Sequence, residues 1–387
     1  MQYRKFGKLD WEVSALGFGA MRLPLMDRKE ADVDEPKAIQ MIRYAIDHGV
    51  NYLDTAYPYH SGQSERIVGR ALQDGYRQKM KLATKLLSRA VESIDDFDRY
   101  LNEQLERLQT DKLDFYLLHG LNAGSWSKVQ DLGVIGWAEE QMARGRFDYL
   151  GFSFHDRYEV FRDIIDAYDN WTLCQIQYNY MDIDHQAGTR GLKYAADRGL
   201  AVVVMEPIRG GRLARPPEQI AKLWANSRHQ RTPVEWALQW VWNQPEVSVA
   251  LSGMSSMEQV IENIASAERS GISSLTANEA ILIDQVREAY QGLNPIPCTK
   301  CGYCNPCPSG VEIPRIFELY NDASVYGNLR IRRLFYSGPR GLKEEQRADR
   351  CTDCGDCVEV CPQKIPVPEW LQKAHELLGS KEIFPGI

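Results

Sequence analysis

The chain has 387 residues, 44% of them apolar and 26% charged, with a formal net charge of −7. That is material for one large core and a smaller second one, since single cores stop growing near ~250–300 residues. The acidic balance argues against a nucleic-acid surface, no window approaches the ~18 uninterrupted apolar residues of a membrane span, and the opening MQYRKFGKLDWEVSALGFGAM lacks a continuous apolar h-region, so a soluble, cytoplasmic protein is expected.

In chain order, MQYRKFGKLDWEVS reads as a β-hairpin around Gly-Lys, placed to plug the floor of whatever follows. Short β-rich runs then alternate with helical periodicity, the pattern of a parallel sheet with crossover helices. The predicted strands are ALGFG, NYLDTA, KLATKL, LDFYLLH, DYLGFSF, CQIQYNY, AVVVMEP and VSVALSG. Between them lie helices such as EPKAIQMIRYAIDHG, IDDFDRYLNEQLERLQ, RYEVFRDIIDAYD and SMEQVIENIASAE. Eight such units in about 250 residues predict a (β/α)8 TIM barrel. A further helix, ANEAILIDQVREAYQG, leads to NPIP, where two prolines interrupt any helix. The domain boundary is therefore expected near Leu293, giving domains 1–293 and 294–387.

The strand ends carry polar residues that a barrel directs into its catalytic mouth. Asp54 ends NYLD, Lys85 ends KLATK, His119 ends LDFYLLH, and Tyr59 follows Asp54 in DTAYPY. Singly, each fits a solvated rim group or a satisfied core residue. Lys85 is the exception, because a lysine between apolar neighbours must snorkel or meet a carboxylate. As a set they resemble the catalytic tetrad of the aldo-keto reductase family, over roughly residues 1–290 and including GFG, DTAxxY and LLH. The resemblance implies that Tyr59 is the general acid for a carbonyl oxygen, that Lys85 favours its phenolate, that Asp54 pairs with Lys85, and that His119 orients the carbonyl. Tyr57 is the competing acid, left by the spacing as an aromatic wall.

The same resemblance implies a nicotinamide cofactor, NAD(H) or NADP(H), with contacts from Ala20, Met21, Ser153, Gln175, Met205, Glu262 and Asn263. Phe154 replaces the family's usual Asn, and Met205 its stacking aromatic. Arg209 and Arg212, flanking Gly210 and Gly211, fit either a pyrophosphate site or solvated surface. Gly253, Ser256 and Gln259 stand where a 2′-phosphate often finds Lys or Arg, so no strong preference for NADPH over NADH is expected.

Eight of the nine cysteines lie from Cys298 onward. Cys174, in LCQIQYNY, fits a buried structural thiol. The others fall in a repeated frame, CTKCGYCNPCPSGVEIP and CTDCGDCVEVCPQKIP. Such concentration is unlike a disulfide scaffold, which is short and cysteine-dense throughout. The frame C-x2-C-x2-C with a later Cys-Pro resembles the bacterial ferredoxin run that holds [4Fe–4S] clusters, the fourth cysteine crossing to the other cluster. The resemblance implies Cys298, Cys301, Cys304 and Cys361 for one cluster and Cys351, Cys354, Cys357 and Cys307 for the second, in a small α+β ferredoxin-like domain. Zinc held by cysteine pairs is the alternative. The first run departs by having two residues before its last cysteine, and about forty residues separate the halves. The segments IPRIFELYNDASVYG and PEWLQKAHELLG read as amphipathic helices that cover the clusters or dock on the barrel.

The leading expectation is thus an oxidoreductase interconverting carbonyl and alcohol, with clusters for electron transfer and a small molecule and a redox protein as partners. A simple carbonyl reductase with structural clusters and a redox-sensing subunit with little turnover are the alternatives.

Overall fold

The computed structural model describes residues 1–26, 31–298, 300, 302–339 and 341–379. They form two compact units, Met1–Ala214 with Arg231–Ala277, and Arg215–Gln230 with the chain from Asn278.

In the first unit, β1 (Tyr3–Lys5) and β2 (Glu12–Ser14) pair antiparallel as the expected hairpin. The eight remaining strands are β3 (Leu16–Gly19), β4 (Tyr52–Asp54), β5 (Lys81–Leu86), β6 (Leu113–Leu121), β7 (Phe147–Phe154), β8 (Leu173–Gln177), β9 (Ala201–Met205) and β10 (Val247–Ser252). They close into a barrel in the order β10-β3-β4-β5-β6-β7-β8-β9, every pair parallel. All eight predicted strands are present. The connecting helices start where the sequence supplies caps: Asp34 accepts from Lys37 N at 3.3 Å to open Glu35–Asp47, and the Ser256 side chain accepts from Gln259 N to open Met257–Glu268.

The hairpin closes the N-terminal end of the barrel. Phe6 is fully buried, its ring 4.9 Å from that of Phe115 and 5.9 Å from that of Tyr52. Gly7 turns the chain at φ +56°, and a Cβ there would sit 2.5 Å from Ala201 N, so only glycine permits this approach. Above Phe6 the pore is filled by Tyr52, Ala83, Phe115, Leu117, Leu173, Ala201, Val203 and Val249. Side chains alternate with a period of two along a strand. The parity that turns Tyr52, Ala83, Leu117, Leu173 and Val203 inward therefore brings Asp54, Lys85, His119, Gln175 and Met205 to the mouth, one layer higher.

The second unit begins inside the helix Ala277–Gly292, earlier than the break near Leu293 suggested by the prolines. The reason is packing: Tyr290 is buried against Tyr326 with ring centroids 5.7 Å apart, and Glu279 meets His229 Nδ1 at 3.0 Å. Helices Ile313–Tyr326 and Val367–Leu378 supply its core, through Ile313, Ile316, Phe317, Leu371, Ala374 and Leu378. Among the described residues this unit contains helices and turns but no strand. The first of these helices lies in the long segment between the two cysteine runs, and the second follows the second run. No helix among the described residues is long and apolar enough to cross a membrane.

Replacing Phe6 by Ala is expected to cost about 3–5 kcal/mol, as for other large-to-small changes at fully buried aromatics, measured as a lower urea midpoint for the barrel transition.

Candidate active site and thiol-lined cavities

At the barrel mouth Lys85 and Asp54 are both buried, and Lys85 Nζ donates to Asp54 Oδ1 at 2.5 Å and to Thr55 O at 2.8 Å. Adjacent strands β4 and β5 hold them side by side, with Asp54 in register with Ala83, two residues before Lys85. Gln175 Nε2 donates to the other carboxylate oxygen of Asp54 at 2.7 Å. Burial works against the Lys85 charge, but Asp54 and then Tyr59 outweigh it and hold the ammonium above its ordinary pKa.

Tyr59 lies on the loop after β4, where His60 and Ser61 adopt left-handed conformations at φ 51° and 54°. That strained turn is held in place because His60 Nε2 accepts from Leu23 N at 3.1 Å. The Tyr59 ring centroid lies 5.1 Å from Lys85 Nζ and 5.8 Å from the His119 ring, at 83° to it. The four tetrad residues therefore converge. The direction of the phenol's shift differs from the sequence expectation: burial raises its pKa, and Lys85 opposes without overcoming it. Tyr59 accordingly rests as the protonated acid. Burial, then Lys85, His155 and Arg89, push the His119 imidazole well below its ordinary value, so it is neutral near pH 7. Its Nδ1 is buried without a hydrogen-bond partner among the described residues. Tyr57, the competing acid, donates to Glu103 at 2.7 Å beneath the Arg107 guanidinium and forms a side wall.

Donor and acceptor arithmetic shows which groups are left for a nicotinamide. Ser153 Oγ accepts from Gly120 N at 2.7 Å, so its proton remains to be donated. Ser153 and Gln175 are in register on β7 and β8. Gln175 Nε2 is taken by Asp54, so its Oε1 remains as an acceptor. A hydroxyl donor beside an amide acceptor fits a carboxamide. Met205 ends β9 half-buried, Ala20 is buried in the turn after β3, and Met21 is exposed beside it. Other expected contacts are partly committed elsewhere. Arg209 Nε pairs with Asp182 at 3.0 Å, and Asn263 Nδ2 donates to Ser252 Oγ at 3.0 Å. Glu262 is exposed, and Gly211 turns at φ +94° with open space where a side chain would be.

One residue was passed over in the sequence. The Arg22 side chain lies against Gly253, where a Cβ would meet its Cβ at 3.2 Å, and its Nη2 would lie 3.7 Å from a Cβ at Gly210. A cation thus spans the loops after β10 and β9. Its signal was available as the charged residue ending GFGAMR.

In the second unit two cavities are lined by thiols. One, of about 160 Å³, is bordered by Cys304, Cys307, Cys351, Cys354 and Cys357. The other, of about 20 Å³, is bordered by Cys298, Cys304, Cys357 and Cys361. Cys301 lies outside the described residues. Cys304 and Cys357 border both cavities, Cys307 borders the one that Cys351 and Cys354 line, and Cys361 borders the one that Cys298 lines. Burial and the neighbouring Cys351, Cys354 and Cys307 thiols push Cys357 up to about 11. Among the described residues these cysteines form no disulfide with one another. Among the described residues no three His, Cys, Asp or Glu side chains converge in the manner of a single-ion site. A ring of thiols around a cavity instead fits a polynuclear group, in which each thiolate reaches a different iron. Cys174, by contrast, is fully buried in β8 and pushed up by burial alone.

The sequence profile of the Aldo/keto reductase family matches residues 15–287, and that of the 4Fe-4S dicluster domain matches residues 297–365. The chain belongs to the aldo/keto reductase family and is an NAD(P)H-dependent oxidoreductase that carries an iron–sulfur domain. It is 29% identical over 297 residues to the oxidoreductase YqkF of Bacillus subtilis, covering 69% of this chain and 91% of that one. L-galactose dehydrogenase of Arabidopsis thaliana is 28% identical over 287 residues, covering 68% of this chain and 88% of that one. Among solved structures, the holo form of aldo-keto reductase AKR11C1 from Bacillus halodurans is 30% identical with a TM-score of 0.61, covering 74% of this chain and 96% of that one. A Klebsiella pneumoniae aldo-keto reductase in complex with NADPH shares the fold at 23% identity and a TM-score of 0.61, covering 74% and 96% of the two chains.

Replacing Lys85 by Met strands the buried Asp54 charge and is expected to lower stability by about 3–5 kcal/mol. The double variant Asp54→Leu with Lys85→Met removes both charges and is expected to regain most of that loss, compared by denaturant midpoints of the two proteins.

Proposed function

We propose that the barrel interconverts a small-molecule carbonyl and its alcohol with a nicotinamide dinucleotide, and that the C-terminal unit holds two [4Fe–4S] clusters that transfer electrons. The observation that carries the first half is a protonated phenol, a buried ammonium and a neutral imidazole converging at one barrel mouth. A bound nicotinamide supplies or receives the hydride. Tyr59 gives its proton to the carbonyl oxygen as the hydride adds at carbon, which completes the alcohol. Lys85 stabilises the phenolate left behind, and Asp54 keeps Lys85 charged. His119, being neutral, orients the substrate oxygen through a hydrogen bond without competing for the proton. Ser153 and Gln175 orient the carboxamide.

Ser256 and Gln259 cap the helix Met257–Glu268, and Gln259 Oε1 also accepts from Ser255 N at 2.8 Å. Neither brings a cation to a 2′-phosphate. The Arg22 guanidinium lies toward Gly210, where it favours a group that both dinucleotides share. NADH and NADPH are accordingly expected to bind within about tenfold of one another, checked by fluorescence titration of each.

In the C-terminal unit, Cys298, Cys301, Cys304 and Cys361 would hold one cluster and Cys351, Cys354, Cys357 and Cys307 the other, each exchanging single electrons when loaded. A second reading, that the clusters are structural, is favoured by one observation: Cys298, Cys304, Cys307, Cys351, Cys357 and Cys361 all pack against the apolar core of their unit. Anaerobic Cys351→Ala protein separates the two. Carbonyl reduction that survives in soluble protein supports structural clusters, and bleaching of the wild-type iron–sulfur absorption by NADH supports electron transfer.

Tyr59→Phe is expected to lower the reduction kcat by about 10²–10⁴ with NADH affinity unchanged. Because the Tyr59 pKa is raised above the ordinary 10.0, its acid form persists through neutral pH. Reduction is expected to decline only as pH rises through that raised value, read from the alkaline limb of kcat.

A further inference from the structure

Gln175 contacts the catalytic pair from an unexpected direction. In the closed order of eight strands, β4 and β8 stand four places apart either way round, so Asp54 and Gln175 project from opposite walls. Both are buried, and the bond between Gln175 Nε2 and Asp54 Oδ2 spans the pore above Leu173 and Tyr52 at 2.7 Å. Since an ionised carboxylate only accepts, this contact fixes the amide orientation: the NH2 faces Asp54 and Oε1 faces away from it. Asp54 thus divides its two oxygens between two donors, Lys85 Nζ on Oδ1 and Gln175 on Oδ2.

We propose that Gln175 is a positioning residue for the acid–base machinery, coupling occupation of the nicotinamide site to the state of the Asp54–Lys85 pair across the barrel. The inference rests on reading the barrel as a nicotinamide-dependent reductase. A carboxamide N–H donated to Oε1 polarises the Gln175 amide and strengthens its donation to Asp54, since linked hydrogen bonds reinforce one another. Stronger donation stabilises the carboxylate, keeps Lys85 charged, and so holds the ammonium ready for the Tyr59 phenolate. The family resemblance implies only the cofactor contact for Gln175. The bond to Asp54 makes it a contact of both.

The charged and titratable groups facing Asp54 are Lys85 from β5, Tyr59 from the loop after β4, and Tyr52 one layer below on its own strand. His119 faces Lys85 and stays neutral. Burial pushes the Asp54 carboxyl up, and Lys85 and then Gln175 pull it back. Removing the Gln175 donor therefore raises it. Asp54 is then protonated at a higher pH, and Lys85 loses its counter-charge there.

The test compares full-length wild type with Gln175→Met, which keeps the side-chain length but cannot donate to Asp54. The acid limb of the reduction kcat is expected to move up by about one to two pH units, the size of one hydrogen bond to a charged group, while NADH binds about tenfold more weakly. Weaker NADH binding with an unmoved acid limb means that Gln175 only touches the cofactor, and overturns the inference. Wild-type protein supplies a second reading that needs no variant. By linkage, NADH affinity is expected to rise with pH across the acid limb, and an affinity flat in pH overturns the inference. Wild-type protein that binds neither NADH nor NADPH overturns the reductase reading itself, a result distinct from both.

Discussion

A lysine buried in the pore of a β-barrel is held there by one carboxylate, and most of the mouth is arranged around that fact. An ammonium and a carboxylate in a dry interior attract strongly, but each also loses its water, so the pair survives only if every donor and acceptor is met. Lys85 meets Asp54 and Thr55 O with its polar hydrogens and lies beside Tyr59. The second oxygen of Asp54 is met by Gln175. The wall behind Lys85 is closed by a further buried set, in which Gln104 Nε2 donates to Lys85 O at 3.1 Å and to Glu65 Oε1 at 2.6 Å, and Glu65 also receives Thr84 at 2.6 Å. Arg107 reaches the same Glu65 and stacks over Tyr57, two residues before Tyr59. The Tyr59 phenol and the Lys85 ammonium are therefore fixed from both sides of the β4–β5 wall, and preorganisation of this kind is what lets a charge act without solvent rearranging around it.

The strands were legible because a parallel barrel buries both faces and writes short apolar runs that end at glycine or a charged residue. The convergence of Asp54, Tyr59, Lys85 and His119 was legible because each sits at a fixed step from such an end. The direction in which Tyr59 shifts was not, since it depends on how much desolvation the closed mouth imposes against one nearby ammonium, a balance that no spacing encodes. The double use of Gln175 was also hidden. Its partner lies 121 positions away on the opposite wall, and only closure of the sheet brings the two together. Arg22 was overlooked for a related reason: it stands one turn past GFG but lies against glycines from the last two strands.

The prolines of NPIP gave a local signal, and they do mark a non-helical stretch. The backbone of Ile296 within it is clamped by Asn321, which accepts from its N–H at 3.0 Å and donates to its carbonyl at 2.7 Å. Compactness follows burial instead, and Tyr290, upstream of the prolines, buries its ring on Tyr326. A break in helix propensity and a break in the core need not coincide, because the first is decided by a few residues and the second by where aromatic surface finds a partner.

The C-terminal unit shows how a repeat can be carried by chemistry and not by secondary structure. The two cysteine runs share their frame, yet the described residues around them make no strand ladder. What brings the runs together is the helix pair Ile313–Tyr326 and Val367–Leu378, joined by the Tyr320–Trp370 contact at 5.6 Å. Ile313 lines both thiol cavities, with Leu371 beside one and Val367 beside the other. The thiols thus form the cavity walls and pack on the core that would hold a bound group. A group that draws thiolates from both runs would cross-link this unit through its own core, so its loading and its folding form one equilibrium. The barrel faces no such condition. Its pore is filled by its own side chains from Phe6 to the Asp54–Lys85 layer, and the phenol, ammonium, carboxylate and imidazole at its mouth are all supplied by β4, β5, β6 and the loop after β4. The barrel mouth and the thiol-lined cavities therefore rest on separate cores, and a lesion in one need not be a lesion in the other.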